Sequence, residues 1–183
     1  MHTLPETPDR CPKTLLLGMG NPFLSDDAVG IRLVRDFSQK LGPRPDLEVI
    51  EECSVGGLNL LDLLEGYQRL IVVDSLKTKG GIPGRWYHFT AEQLRETMNL
   101  TNVHDANFAT ALELGRRMGM AIPAAAETHI FAVEILDNLT FSERLTDDLE
   151  RTYPVYCEEI FGELLALVYP RAPQAASRIC FLL

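Results

Sequence analysis

The chain has 183 residues, 46% of them hydrophobic, and its 17 basic and 26 acidic side chains leave a net charge of −9. That length fits one domain with a proper core, and the charge has the wrong sign for neutralising many backbone phosphates, which argues against nucleic acid as a partner. No apolar run approaches the roughly 18 residues that a membrane-spanning helix requires, and the start MHTLPETPDRCPK lacks the basic-then-apolar pattern of a secretory signal, so a cytoplasmic protein away from the membrane is expected.

Apolar runs bounded by turn residues alternate with segments of helical period, the pattern of an α/β layer fold with a mainly parallel sheet. The first strand is expected at Thr14–Leu17, followed by a helix over Asp27–Gln39 with Val29, Leu33, Val34 and Phe37 on one face. A second strand at Leu47–Glu51 leads to a short helix, Leu58–Leu64, that stops at Gly66, and a third strand covers Leu70–Val73. After the turn-like GGIPG of residues 80–84, a fourth strand at Arg85–Phe89 alternates in character as an edge strand would. A helix at Asp105–Met118, carrying Phe108, Ala111, Leu112 and Leu114, precedes a fifth strand at Thr128–Ile135. The last helix spans Thr146–Val168 and must accommodate Pro154, either as a kink or as its first turn, while Leu164, Leu165 and Val168 dock on the sheet. The expected architecture is a three-layer α/β/α sandwich around a mostly parallel, five-stranded twisted sheet, with one domain over residues 1–170 and a tail over 171–183. That tail ends CFLL, a formal match to a prenylation box, but no polybasic segment precedes it and a short apolar tail is the simpler reading. The four cysteines, Cys11, Cys53, Cys157 and Cys180, have neither C-x-x-C nor zinc-knuckle spacing and read as isolated thiols.

The stretch LLLGMGNPFLSDDAVG, residues 15–30, asks for an explanation. A glycine turn between a strand and a helix usually serves phosphate. Here the third glycine of a dinucleotide fingerprint would fall at Phe23, no Gly-Lys-Ser/Thr follows, and Asp26 and Asp27 near the helix start would repel an anion. Acids in that position suit a cation instead. In open α/β sheets ligands bind beyond the carboxyl ends of the strands, and two further donors fall at such ends: Asp74 in LIVVDS and His104 in TNVHDANF. Each has a bland alternative, since Asp26 or Asp27 could cap the first helix, Asp74 a turn, and His104 could sit on the surface. Their shared sheet edge favours a site.

An imidazole with two carboxylates suits Ni, Zn, Fe or Mn without selecting one. H-E-x-x-H is absent, so no resident catalytic zinc is expected, and without G-x-S-x-G the serines Ser25, Ser54 and Ser75 have no placed histidine partner. His88 and His129, on predicted strands, are weaker candidates, and Glu127 and Glu134 read as structural.

The order of LLLGMGNPFLSDDAVGIRLV, CSVGGLNLLDLLEGYQRLIVVDS with GGIPG, HDANFATALELGRRMG and IFAVEI resembles the nickel-iron hydrogenase maturation endopeptidases, over about residues 14–168. The resemblance implies an endopeptidase that removes the carboxy-terminal extension of the hydrogenase large-subunit precursor after nickel insertion, with the nickel supplied largely by that partner. Carried over position by position, it makes Asp27, Asp74 and His104 the nickel contacts. A carboxylate such as Asp27 or Asp74 could orient or deprotonate the attacking water; the resemblance does not settle the catalytic step, and the base is left unassigned. Relatives carry Glu or Asp in the first loop; this chain has the shorter Asp27. A monomer could perform such a reaction. GMGNP is also similar to the opening of peptidyl-tRNA hydrolases, but their T-R-H-N segment is replaced by Leu24-Ser25-Asp26-Asp27. A non-enzymatic metal-binding accessory protein would use the same three ligands. Specificity is expected in the loops around Glu92–Val103 and Cys53–Gly57.

Overall fold

A computed structural model describes residues 13–96 and 103–169, and the side chains of 94–96 and 103–109 lie outside that description. Five strands form one sheet: β1 (Thr14–Met19), β2 (Leu47–Cys53), β3 (Arg69–Leu76), β4 (Trp86–Thr90) and β5 (Thr128–Glu134). Their order is β2-β1-β3-β5-β4, with β4 antiparallel to β5 and every other pairing parallel. The helices are α1 (Val29–Leu41), α2 (Leu61–Leu64), α3 (Ala91–Glu96), α4 (Val103–Arg117) and α5 (Asp147–Val168). The mostly parallel, five-stranded α/β sandwich read from the sequence is therefore the fold, and β4 is the expected edge strand.

Two cores lie on the two faces of the sheet. Alternate strand residues Leu16, Ile71, Val73, Phe131 and Val133 pack against Val29, Leu33, Val34 and Phe37 of α1 and against Leu149, Tyr156, Ile160 and Leu164 of α5. The opposite parity, Leu15, Leu17, Leu70, Val72 and Ile130, meets Leu60, Leu64 and Leu112. Each fully buried aliphatic chain contributes about 1.5–3 kcal/mol, so this double layer fixes the strand register. No described helix is long and apolar enough to cross a membrane.

The departures from expectation are local. Helix α3 was not foreseen, although Thr90 and Gln93 close a capping box: Gln93 Oε1 accepts the Thr90 N–H at 2.8 Å and Thr90 Oγ1 accepts the Gln93 N–H at 3.4 Å. It replaces the first part of the loop expected at Glu92–Val103, and residues 97–102 lie outside the described residues. Pro154 neither marks the first turn of α5 nor ends it; it sits in the eighth position and the helix continues to Val168. On α4, Ala111 and Leu112 are buried but Leu114 is exposed, because the inward stripe continues instead through Gly115, which lies against Leu61 and Ile122. The tail over 171–183 and Cys180 fall outside the described residues.

Candidate active site

The strand order reverses direction at β1: β2 follows on one side and β3 on the other. Such a switch point leaves a crevice beyond the strand ends because the connections diverge to opposite faces. Here it is a cavity of about 380 Å³ walled by the loop after β1, the end of β2 and the end of β3, with Asp27 and Asp74 both in its lining.

The glycines of the first loop let three pieces of backbone meet. A side chain at Gly18 would collide with the Glu51 carbonyl, one at Gly20 with that of Asp27, and one at Gly30 with those of Val73 and Met19. Gly20 also has φ 137°, a conformation that glycine adopts freely. The loop glycines thus serve close backbone approach, and Gly30 seats the start of α1 on β1 and β3.

The two adjacent acids have different environments. Ser25 takes φ 44°, in the left-handed region, at a cost of about 1–3 kcal/mol. Its N–H donates to the Ser142 carbonyl at 2.9 Å and its hydroxyl to the Arg144 carbonyl at 3.2 Å. This turn carries Asp26 into the interior, where it is fully buried. Its Oδ2 accepts from the N–H groups of Leu136 and Asp137 and from the Thr146 hydroxyl, at 3.1, 2.9 and 3.0 Å, and Oδ1 accepts the Thr146 N–H at 2.6 Å. Asp26 therefore ties the segment after β5, and the start of α5, to the first loop. Neither acid caps α1 with its side chain.

Asp27, half-buried, faces the cavity. Its Oδ2 accepts the Asn21 N–H at 2.9 Å and its Oδ1 the Ser75 hydroxyl at 2.7 Å. Asn21 Oδ1 in turn accepts the Phe23 N–H at 3.0 Å, a local turn that shapes the loop as its sequence implied. Asp74 follows from register: Gly18 pairs with Val73, so Asp74 is the next residue, where β1 gives way to its loop. Its Oδ1 accepts the Ser75 N–H at 2.7 Å. A carboxylate offers about four lone-pair sites, and two hydrogen bonds on Asp27 leave others for a cation. Among the described residues no group of three His, Cys, Asp or Glu side chains is arranged to hold a metal. His104 lies in the first turn of α4, a helix that contacts α2, and its side chain is outside the described set.

Cys53, Ser54, Val55 and Gly56 form another wall, so the loop singled out in the sequence does reach the cavity. Burial pushes the Cys53 thiol upward, with the Asp74 carboxylate adding to it and the Val55 carbonyl opposing. The thiol is thus a poor thiolate source. Lys77 and Asn138 also line the cavity, 3.3 Å apart from Nζ to Oδ1. The sequence shows Ser75 only as a serine without a histidine partner; its contact with Asp27 spans 48 positions and has no local signal.

The weaker candidates lie elsewhere. His88 and His129 contact each other on the β4–β5 pair, Nε2 to Nδ1 at 3.2 Å, and His88 stacks on Phe131. Glu134, fully buried, accepts the Thr78 hydroxyl at 3.0 Å and the Thr78 N–H at 2.5 Å and so fixes the loop before β4. Glu127 pairs with Arg69 at 2.8 Å. Both glutamates are structural, as expected.

Two carboxylates thus line the crevice beyond the strand ends, the place where open α/β sheets bind their ligands. The chain belongs to the hydrogenase maturation proteases, whose sequence profile matches residues 31–163. It is 28% identical over 128 residues to the hydrogenase 2 maturation protease of Escherichia coli strain K12, covering 64% of this chain and 77% of that protein. The fold is similar to that of the hydrogenase maturating endopeptidase HybD from E. coli, with a TM-score of 0.67 at 24% identity over 83% of this chain and 91% of that one. The hydrogenase maturation protease HybD from Thermococcus kodakarensis gives a TM-score of 0.59 at 21% identity over 83% and 98%. The profile match begins at Ile31, so the placement of Asp27 rests on the cavity geometry.

Proposed function

We propose that this protein is an endopeptidase that removes the carboxy-terminal extension of a nickel-iron hydrogenase large-subunit precursor after nickel has been inserted. Membership of the maturation proteases supports the reaction class. The observation that carries the site is that Asp27 and Asp74, 47 positions apart, line one cavity at the sheet's switch point.

Nickel arrives with the substrate, and Asp27, Asp74 and His104 are the residues that would contact it. Oxygen and nitrogen donors of this kind suit nickel among other divalent metals. A substrate-borne metal near the scissile carbonyl would polarise it. The chain's own share is to present the carboxylates. One of them orients the attacking water and takes its proton within hydrogen-bond reach; fixed donors hold Asp27 through both oxygens and Asp74 through one. Cleavage would then report that the metal is in position. The reaction takes place without a resident catalytic zinc.

The test is processing of a nickel-loaded precursor by Asp27→Asn, Asp74→Asn and His104→Ala. Each variant is expected to lose at least 100-fold in rate while its circular dichroism and melting transition stay at wild-type values. Cleavage within threefold of wild type by any of them would remove that residue from the site.

A further inference from the structure

We propose that Ser75 is a positioning residue of this site, its hydroxyl locking the Asp27 carboxylate while its backbone N–H holds Asp74. The proposal rests on the functional reading above and adds a residue to it.

Strand alternation is the starting point. Ile71 and Val73 project toward α1 and α5, and Leu70 and Val72 toward the opposite layer. Asp74 therefore belongs to the second parity and Ser75 to the first. Two functional acids thus approach the cavity from opposite sides of the sheet, and Ser75 touches both through different atoms. Its hydroxyl reaches Asp27 Oδ1 at 2.7 Å, and its N–H reaches Asp74 Oδ1 at 2.7 Å.

Asp27 has two side-chain torsions. The Asn21 N–H on Oδ2 fixes one oxygen, but that donor belongs to the same segment after β1 as Asp27, six positions away. Ser75 is on a central strand that is paired on both sides from Leu70 to Val73, and Ser75 itself stands opposite Val133 of β5. Its hydroxyl is the contact that refers the carboxylate plane to the sheet, and hence to Asp74. Outer partners of ligating carboxylates are commonly worth about 10–100-fold in metal affinity or activity. Ser75 is only half-buried, so deleting its hydroxyl leaves the core intact.

The experiment combines Ni²⁺ titration of the full chain by calorimetry with cleavage of a nickel-loaded precursor. Ser75→Ala is expected to weaken Ni²⁺ binding about 10–100-fold, and Ser75→Thr, which keeps the hydroxyl and suits a strand, to recover wild-type affinity within about threefold. Adding Ser75→Ala to Asp27→Ala, which removes the acceptor, is expected to cost nothing further in Ni²⁺ affinity, because the hydroxyl acts through Asp27. Unchanged Ni²⁺ affinity and cleavage in Ser75→Ala, beside an active wild type, would overturn the role of Ser75 alone. Losses that add fully in the double variant would also overturn it. A wild-type protein that neither binds Ni²⁺ nor cleaves would overturn the functional reading and this inference together.

Discussion

Asp26 and Asp27 are neighbours with the same side chain, and the fold separates them completely. The sequence placed acids beyond β1 but could not say which one turned inward, because the decisive element is the left-handed backbone at Ser25, which no propensity for serine announces. Partners 110 to 120 residues away then fill the Asp26 carboxylate. Asp26→Ala removes a fully buried carboxylate and strands several part-buried donors, each worth about 1 kcal/mol or more, and is expected to lower unfolding free energy by about 3 kcal/mol. Asp27→Ala, at the half-buried cavity wall, is expected to change it by less than about 1 kcal/mol. Urea denaturation of the two variants measures both; equal losses would mean that Asp27 is as structural as its neighbour. Ser75 was legible only as a serine. Its value comes from strand parity and a contact across 48 positions, neither visible locally.

At the scale of elements, the five strands and the long helices could be read from the sequence because apolar period and burial agree there. What was missed followed competing cues. The Thr90-x-x-Gln93 capping box was present in the sequence, yet α3 is only six residues long and carries little periodic signal. Leu114 looked like a core position until Gly115 turned out to mark the tight face of α4. Gly30 shows how an element is seated: its missing side chain lets the first turn of α1 rest on the carbonyls of Met19 and Val73. Gly30→Ala must push α1 away from the sheet, and overpacking of this kind costs about 1–3 kcal/mol, occasionally more. A lower denaturation midpoint together with reduced processing is expected, since Asp27 sits two residues before α1. A variant as stable and as active as wild type would show that the helix start has slack.

At the scale of the whole molecule, the sequence pattern implied the layers, but the switch point came from the strand order, which periodicity cannot supply. Three-dimensional pairing also sets the pH response. His129 is pushed down to about 4, chiefly by burial and then by the His88 imidazole and the Arg69 guanidinium, with Glu127 opposing. Burial lowers His88 too, against the Glu163 carboxylate. The unfolded chain takes up these protons near the ordinary value of 6.5 and the folded chain only at lower pH. Unfolding therefore binds protons in that window, and stability is lost as pH falls from about 6.5 toward 4. His129→Gln is expected to flatten this slope in urea denaturation at stepped pH; an unchanged slope would assign the acid sensitivity to other groups. On the proposed function, Asp27 and Asp74 serve cleavage of a precursor whose nickel is already in place. The most direct test is mass spectrometry of nickel-loaded and nickel-free hydrogenase large-subunit precursors after incubation with this protein. Loss of a carboxy-terminal fragment from the loaded precursor alone is the predicted result, and equal cleavage of both forms, or of neither cognate form, would contradict it.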